Sequence, residues 1–213
     1  KWSTNMSPRS ISSFAMYNGM IYCDSRDYAW SNPLNKIFCL DAKTGVLKWS
    51  YNIPNGGFCE TAFAVSGGVL YVGGRIIAGD SPGSSPRICA FDANTGALKW
   101  YSTYLNYFEP HATLVYADNV VYVGSSSGDI TAIDASNGSV KWTKNITQRS
   151  INDFVISKSI LYVTDAYALS AIDALTGNLK WQLPSADLIW SEPTVYNGKV
   201  YFTIKGEVYC YCQ

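Results

Sequence analysis

Residues 132–142 read Ala-Ile-Asp-Ala-Ser-Asn-Gly-Ser-Val-Lys-Trp, and the same pattern returns at residues 39–49, 90–100 and 171–181. In all four copies an aspartate, a glycine and a tryptophan keep their offsets. These residues are Asp41, Gly45, Trp49, Asp92, Gly96, Trp100, Asp134, Gly138, Trp142, Asp173, Gly177 and Trp181. Self-similarity at a regular spacing indicates a repeat protein, in which copies of one unit stack on each other.

Each copy predicts a strand, a turn and a returning strand. Residues 130–134 alternate as a strand with two different faces does. The side chain of Asp134 can accept hydrogen bonds from backbone amides ahead of it, and Gly138 permits a positive φ. We therefore expect a turn over residues 134–138. Trp142 then lies on the returning strand, where its ring can cover the next repeat.

A second hairpin precedes each copy. Residues 67–73, 118–124 and 158–164 each begin with a turn-like dipeptide and continue as an apolar strand. Such dipeptides favour tight hairpin turns. One equivalent position in these strands is always tyrosine, which we expect to pack between repeats: Tyr22, Tyr71, Tyr122, Tyr162 and Tyr201. Each repeat therefore holds about four short strands, the content of a propeller blade.

The spacing of the repeats gives the number of blades. The turn tryptophans are 51, 42 and 39 residues apart, which is the period of a propeller. A fifth repeat follows Trp181 but lacks its last strand, whereas residues 1–3 resemble residues 48–50. We predict that the N-terminal strand, with Trp2, completes the last blade and closes a ring of five four-stranded blades with few open edges. The alternative is a segment of a larger ring, which the matching ends disfavour.

These boundaries divide one predicted domain, residues 1–213. The blades are expected at approximately residues 4–50, 51–101, 102–143, 144–182, and 183–213 together with 1–3. The second blade carries the longest departure from the repeat, a Gly-, Ser- and Pro-rich loop between Arg75 and Arg87. It is either a partner-binding loop or a surface insertion without a binding role.

Composition excludes several classes of function. Sixteen basic and sixteen acidic residues leave no net charge to attract nucleic acid, and no apolar run is long enough for a membrane helix. The six cysteines lack zinc spacing and leave disulfides open. The single histidine, His111, rules out a multi-histidine metal site, and no nucleophile-elbow motif accompanies it.

The repeated Ala-x-Asp-x-x-x-Gly-x-x-x-Trp pattern resembles the tryptophan-docking motif of the PQQ-like, or quinoprotein-type, β-propeller repeat family. The resemblance covers essentially the whole chain, with Cys39 in place of alanine in the first copy. It implies an all-β propeller. The family includes quinone-dependent alcohol dehydrogenases, outer-membrane assembly scaffolds and sensor domains, so the fold alone does not give the function.

The dehydrogenases of this family imply a quinone stacked on adjacent cysteines, a calcium ion held by acidic and amide groups, and a larger ring. This sequence has no Cys-Cys pair and too few blades for the same cavity. We therefore expect no cofactor and no metal. PQQ with calcium belongs only to the alternative in which the chain is a quinoprotein oxidoreductase that uses its central channel.

The segments that lead into the first strand of each blade converge at the channel mouth of a propeller. They contribute a set of charged and aromatic candidates for ligand binding: Arg9, Glu60, Glu109, His111, Arg149, Asp153, Trp190 and Glu192. Tyr107 and Phe108 would add to an aromatic rim. The competing interpretation is a solvated channel whose charges pair with each other.

We therefore expect a non-catalytic binding scaffold, monomeric and extracytoplasmic, that presents its loops to a protein, peptide or glycan. The alternatives are the quinoprotein oxidoreductase and a purely structural repeat domain of a larger surface protein.

Overall fold

The computed structural model describes residues 1–5, 13–25, 35–54, 57–77, 86–103, 105, 113–189 and 191–212. This part of the chain forms nineteen β-strands and no helix. It accordingly contains no helix of the length and apolar character that a membrane crossing requires.

The strands group into five sheets. Blade 1 contains β1 (Phe14–Tyr17), β2 (Met20–Ser25), β3 (Lys36–Asp41) and β4 (Leu47–Asn52). Blade 2 contains β5 (Ala64–Ser66), β6 (Val69–Gly74), β7 (Arg87–Asp92) and β8 (Leu98–Tyr101). Blade 3 contains β9 (Leu114–Ala117), β10 (Val120–Gly124), β11 (Asp129–Asp134) and β12 (Val140–Asn145). Blade 4 contains β13 (Ile151–Ser157), β14 (Ile160–Asp165), β15 (Ala168–Asp173) and β16 (Leu179–Pro184). Blade 5 contains β17 (Thr194–Tyr196), β18 (Lys199–Ile204) and β19 (Glu207–Cys212).

Every sheet is antiparallel, with its strands in chain order. The first strands of successive blades contact each other, from β1 through β5, β9 and β13 to β17. These innermost strands therefore lie around a common axis, and the others extend outward from it. The predicted all-β propeller of five blades is confirmed.

The last blade differs from the prediction. Among the described residues its sheet has three strands, and residues 1–5 form no strand. The N-terminal segment is held instead by blade 1. The indole Nε1 of Trp2 donates to the carbonyl oxygen of Ala42 at 3.1 Å, and Thr4 Oγ1 donates to the carbonyl oxygen of Gly45 at 2.7 Å. Trp2 thus has the docking contact that was expected, without the strand pairing.

The turn of the repeated motif forms as its chemistry predicts. In blade 3, Asp134 Oδ1 accepts the backbone amide of Ser136 at 2.9 Å and its hydroxyl at 2.5 Å. Asp134 Oδ2 lies 2.9 Å from the ammonium of Lys141 on the returning strand. Gly138 has a φ of +78°, and its amide donates to the carbonyl oxygen of Asp134 at 2.9 Å. The aspartate therefore holds both ends of the turn.

The motif tryptophans join each blade to the next. The Nε1 atoms of Trp49, Trp100 and Trp142 donate to the carbonyl oxygens of Ala93, Ala135 and Ala174 at 2.9, 3.1 and 3.2 Å. Each acceptor alanine follows the motif aspartate of the following blade. In every case the indole also lies against the glycine of that turn.

The core is divided among the blade interfaces. The repeated tyrosine of each of the first four blades is buried and packs near the tryptophan of its own sheet, with ring centroids 5.9–6.1 Å apart. Burial raises the pKa of Tyr22 and that of Tyr71 to about 12. Each of these four tyrosines also belongs to a buried cluster that includes residues of the following blade, so the predicted packing between repeats is confirmed.

Candidate functional site

One face of the propeller carries the segments in which the sequence predicts ligand-binding residues. We call it the link face. It carries the links from the last strand of one blade to the first strand of the next, and the turns between second and third strands. Because neighbouring strands are antiparallel, all of these segments lie at the same end of the sheets.

Glu60 lies on the link between blades 1 and 2 and is buried. It forms an ion pair with Arg75, which follows β6 and is also buried. The guanidinium of Arg75 lies 5.4 Å from the centroid of the Phe58 ring, and the amide of Glu60 donates to the carbonyl oxygen of Gly73 at 2.8 Å. The charge of Glu60 is thus compensated within blade 2.

Asp153 and Glu192 lie together. Asp153, in β13, accepts hydrogen bonds at Oδ1 from the hydroxyl of Thr113 and from the amide of Phe154, the latter at 2.6 Å. The negative charge of Asp153 raises the pKa of Glu192, and burial and a hydrogen bond between the two side chains add to the effect. The nearby charge of Asp153 therefore favours the protonated form of the Glu192 carboxyl group.

Thr113, Asp153 and Glu192 belong to three neighbouring blades but occupy one equivalent position, within the innermost strand or one to two residues before it. The repeat thus places one side chain per blade at the same height along the axis. Here it produces a small acidic patch backed by a hydroxyl group.

Arg149 lies on the link between blades 3 and 4 and is exposed. Its guanidinium lies 5.1 Å from the ring centroid of Tyr167, at the turn between β14 and β15. The Tyr167 amide donates to Oδ1 of Asp165 at 2.6 Å, and the Tyr167 carbonyl oxygen accepts the Ser185 amide at 2.7 Å. Tyr167 is therefore anchored at its backbone and supports the arginine with its ring.

Arg149 borders a cleft between blades 3 and 4 with a volume of 810 Å³. Its walls come from the end of β12 and the link that follows it, from the turn between β14 and β15, and from the end of β16. They are mostly polar: Asn145, Ile146, Thr147, Gln148, Arg149, Asp165, Tyr167, Ala168, Gln182, Pro184 and Ser185. Several of these groups are fixed by hydrogen bonds. Asn145 Nδ2 donates to Asp129 Oδ1 and Gln182 Nε2 donates to Ser170 Oγ, both at 2.9 Å. The cleft can offer amide, guanidinium and aromatic contacts to a partner.

The other sequence candidates, Arg9, Glu109, His111 and Trp190, lie outside the described residues, as do Tyr107 and Phe108. Of the rest, the structure brings Asp153 and Glu192 together, whereas Glu60 and Arg149 have their contacts in blades 2 and 4. Sequence analysis missed Tyr167, Gln148 and Gln182. The available signal was the spacing of the turns between the second and third strands, because such a turn lies beside the link that leads into the same blade.

The chain resembles known proteins along most of its length. A family model described as outer membrane protein assembly factor BamB matches residues 1–155. The chain belongs to this PQQ-like β-propeller family. Outer membrane protein assembly factor BamB of Yersinia pestis is 25% identical over 215 residues, which cover 92% of this chain and 49% of that protein. The chain thus spans about half the length of the BamB relatives that it matches.

Solved structures agree with the fold of the PQQ-like family. BamB from Moraxella catarrhalis superposes with a TM-score of 0.69 and 20% identity, over 95% of this chain and 58% of that one. The C-terminal WD40 domain of Sif2 superposes with a TM-score of 0.73 and 10% identity, over 98% and 56%. Both likenesses concern the propeller fold.

Quinoprotein enzymes of the family are also similar over part of the chain. The dehydrogenase subunit of an alcohol dehydrogenase (quinone) from Komagataeibacter europaeus is 33% identical over 139 residues, 54% of this chain and 18% of that protein. The described residues contain no group of three or more His, Cys, Asp or Glu side chains placed to hold a metal ion. The sequence offers no adjacent cysteines on which a quinone could stack. The described residues and the sequence therefore do not fit PQQ with a calcium ion.

Proposed function

We propose that this chain is a non-catalytic interaction propeller that acts outside the cytoplasm in the assembly of outer membrane proteins. The observation that carries the proposal is the match to BamB assembly factors over nearly the whole chain. The partner is a protein, and the blade 3–4 cleft of the link face is its contact site.

The cleft supports this function through the kind of contacts that it offers. Arg149 is exposed but positioned by the Tyr167 ring, so little side-chain entropy remains to be lost when it binds a carboxylate. The amides of Gln148 and Gln182 can pair with a peptide backbone. Aromatic and arginine side chains are the residues that most often dominate the energy of protein interfaces.

A site-specific crosslinking experiment tests the proposal. A photoreactive amino acid replaces Gln182 in the cleft, and in a matched protein it replaces Leu175, which is exposed in the motif turn at the other end of the blade. We expect the Gln182 probe to crosslink to one outer-membrane assembly protein in a cell-envelope fraction, and Arg149→Ala to abolish that product. Equal products from both positions, or none from Gln182, would contradict the proposal.

The enzymatic alternative has its own measurement. The relevant observation is the similarity to quinone alcohol dehydrogenases over about half of the chain. We expect no saturable change in PQQ absorbance when PQQ and Ca²⁺ are added to the protein, and no alcohol-dependent reduction of a dye. Stoichiometric PQQ binding followed by dye reduction would replace the interaction proposal with a redox one.

A further inference from the structure

Three asparagines of the described residues are followed directly by a glycine: Asn18, Asn137 and Asn197. In such a pair the main-chain nitrogen of the glycine can attack the side-chain amide carbon of the asparagine, because glycine has no Cβ atom to obstruct the approach. The product is a succinimide ring, which opens to aspartate or isoaspartate. Because the three pairs share this chemistry, differences between them come from the structure around each turn.

Two of the pairs form open hairpin tips. Asn18 and Gly19 connect β1 to β2 with φ angles of +52° and +75°, and Asn197 and Gly198 connect β17 to β18 with φ angles of +49° and +75°. All four residues are exposed, and nothing beyond the adjacent residues lies within 4 Å of the Cβ position of either glycine. Among the described residues, no hydrogen bond involves the side chain of either asparagine or the amide of either glycine. The reacting groups can therefore approach each other without breaking a hydrogen bond.

Asn137 belongs to the motif turn of blade 3, which restrains both reacting groups. Its Oδ1 accepts the amide of Ser139 at 2.9 Å, and the Gly138 amide donates to the carbonyl oxygen of Asp134 at 2.9 Å. Gly138 is also buried beneath the indole of Trp100. Closure of the succinimide ring would remove the proton of the Gly138 amide and turn the Asn137 side chain away from Ser139. Both hydrogen bonds would be lost.

We propose that Asn18 and Asn197 are sites of spontaneous deamidation, that the motif turn protects Asn137, and that isoaspartate at position 18 loosens the motif turn of blade 1. The reaction needs only water. The glycine N–H proton passes to solvent, the nitrogen forms a bond to Cγ of the asparagine, and the Cγ–Nδ2 bond breaks so that Nδ2 leaves as ammonia. One water molecule then opens the ring at either carbonyl, and the site gains one negative charge.

The effect on blade 1 follows from a chain of main-chain contacts. The carbonyl oxygen of Gly19 accepts the amide of Ala42 in the motif turn at 2.8 Å, and the carbonyl oxygen of Ala42 accepts the indole of Trp2. Isoaspartate adds one carbon to the main chain between residues 18 and 19. The two-residue tip then no longer matches the pairing of Tyr17 with Met20, so the Gly19 carbonyl moves away from Ala42.

The first measurement compares the three sites in the folded 213-residue protein. The protein is incubated at about pH 8 and 37 °C, and mass spectrometry of proteolytic peptides follows conversion of each amide to a carboxyl group. We expect Asn18 and Asn197 to convert at least tenfold faster than Asn137, since ring closure at Asn137 costs two hydrogen bonds. Equal rates, or a faster rate at Asn137, overturn the proposal. So does retention of Asn18 while a synthetic peptide of residues 15–22 converts fully.

Unfolding separates the turn from the sequence. In concentrated urea the three sites should convert at similar rates, because each keeps its Asn-Gly pair and no turn remains. If Asn137 stays slow in urea, its flanking residues protect it and the proposal fails. Trp100→Ala uncovers Gly138, so it should speed conversion at Asn137 and leave the rate at Asn18 unchanged.

Amide hydrogen exchange tests the effect on blade 1. Protein with isoaspartate at position 18 is separated by chromatography and compared with Asn18→Asp, which carries the same charge without the additional main-chain carbon. We expect the Ala42 amide to exchange at least tenfold faster in the isoaspartate form and at close to the wild-type rate in Asn18→Asp. Unchanged exchange in the isoaspartate form, or equally fast exchange in Asn18→Asp, would overturn the proposed loosening of the turn.

Discussion

The indole Nε1 of Trp49 donates a 2.9 Å hydrogen bond to the carbonyl oxygen of Ala93, so the outer strand of blade 1 is fastened to the motif turn of blade 2. Phenylalanine keeps much of the ring but cannot donate this bond. We expect Trp49→Phe to lower the free energy of unfolding by about 1–2 kcal/mol, the usual net value of a partly buried hydrogen bond with some loss of packing. Urea unfolding followed by circular dichroism measures it.

Trp181 provides the matched control. Among the described residues its Nε1 has no hydrogen-bond acceptor, and its ring packs on Tyr211 with centroids 4.5 Å apart. Trp181→Phe should therefore cost clearly less than Trp49→Phe. Equal losses would show that the ring area, and not the hydrogen bond, holds the blades together.

Gly138 packs directly under the docked ring of Trp100, since a Cβ atom at this position would lie 2.5 Å from Cε3 of Trp100. Gly138→Ala forces a left-handed conformation on alanine, which lowers the free energy of unfolding by about 1–2 kcal/mol. It also displaces the indole, which lowers it by about 1–3 kcal/mol more. Gly19→Ala isolates the first cost, because Gly19 has a φ of +75° and nothing lies within 4 Å of its Cβ position. Similar unfolding midpoints for the two variants would contradict the docking role of Gly138.

Asp134 should make the protein sensitive to strong acid. Hydrogen bonds from the Ser136 hydroxyl, together with Lys141, lower the pKa of Asp134 to about 2, from an ordinary value of about 3.9. Because the folded pKa is the lower one, the stabilisation is present above the unfolded pKa and is lost as the pH falls through the folded value. NMR titration should show a larger rise of this pKa in Ser136→Ala than in Lys141→Met. The reverse order would mean that the ion pair dominates.

Glu192 should show the opposite pH dependence. Asp153 raises the pKa of Glu192, so its contribution to stability is present below the unfolded pKa and is lost as the pH rises through the folded value. Glu192→Gln should raise the urea midpoint at pH 7 and leave it nearly unchanged at pH 3.5, where wild-type Glu192 is largely protonated. A lower midpoint at pH 7 would show that the charged form of Glu192 is stabilising.

The buried ion pair of Glu60 and Arg75 should behave as a unit. Arg75→Met or Glu60→Gln alone should cost about 3–5 kcal/mol, because each leaves one charge buried without its partner, whereas the double variant should recover much of that loss. The exposed pair of Lys205 and Asp187, with Nζ 2.7 Å from Oδ1, is the control, and Asp187→Asn should cost less than about 1 kcal/mol. Additive losses at Glu60 and Arg75 would rule out coupling between them.

The repeat was predictable because its determinants are local. Asp134, Gly138 and Trp142 act within one turn or at a fixed offset, so their pattern predicted the hairpin, the blade and the docking contact between blades. The position of Tyr122 was predictable for the same reason, since a strand alternates its two faces regardless of what lies further away.

What could not be predicted depends on contacts between distant segments. Glu60 is equally compatible with a ligand site and with an ion pair until Arg75 is placed beside it. Val208 occupies the register position of the buried Ile130 but is 73% exposed, and the sequence of its own strand does not predict this difference. The cleft at Arg149 arises where a link meets the turn of the next blade, and no single segment contains it.

Each docking tryptophan donates a hydrogen bond to a main-chain carbonyl oxygen and packs on a glycine. Trp142, for example, donates to Ala174 and packs on Gly177. Neither acceptor depends on the identity of a large side chain. Any repeat that keeps the turn can therefore accept the tryptophan of the repeat before it, so this one contact survives the duplication or loss of a whole repeat. A gene for such a chain can lengthen or shorten in steps of one blade while its individual loops diverge to bind new partners.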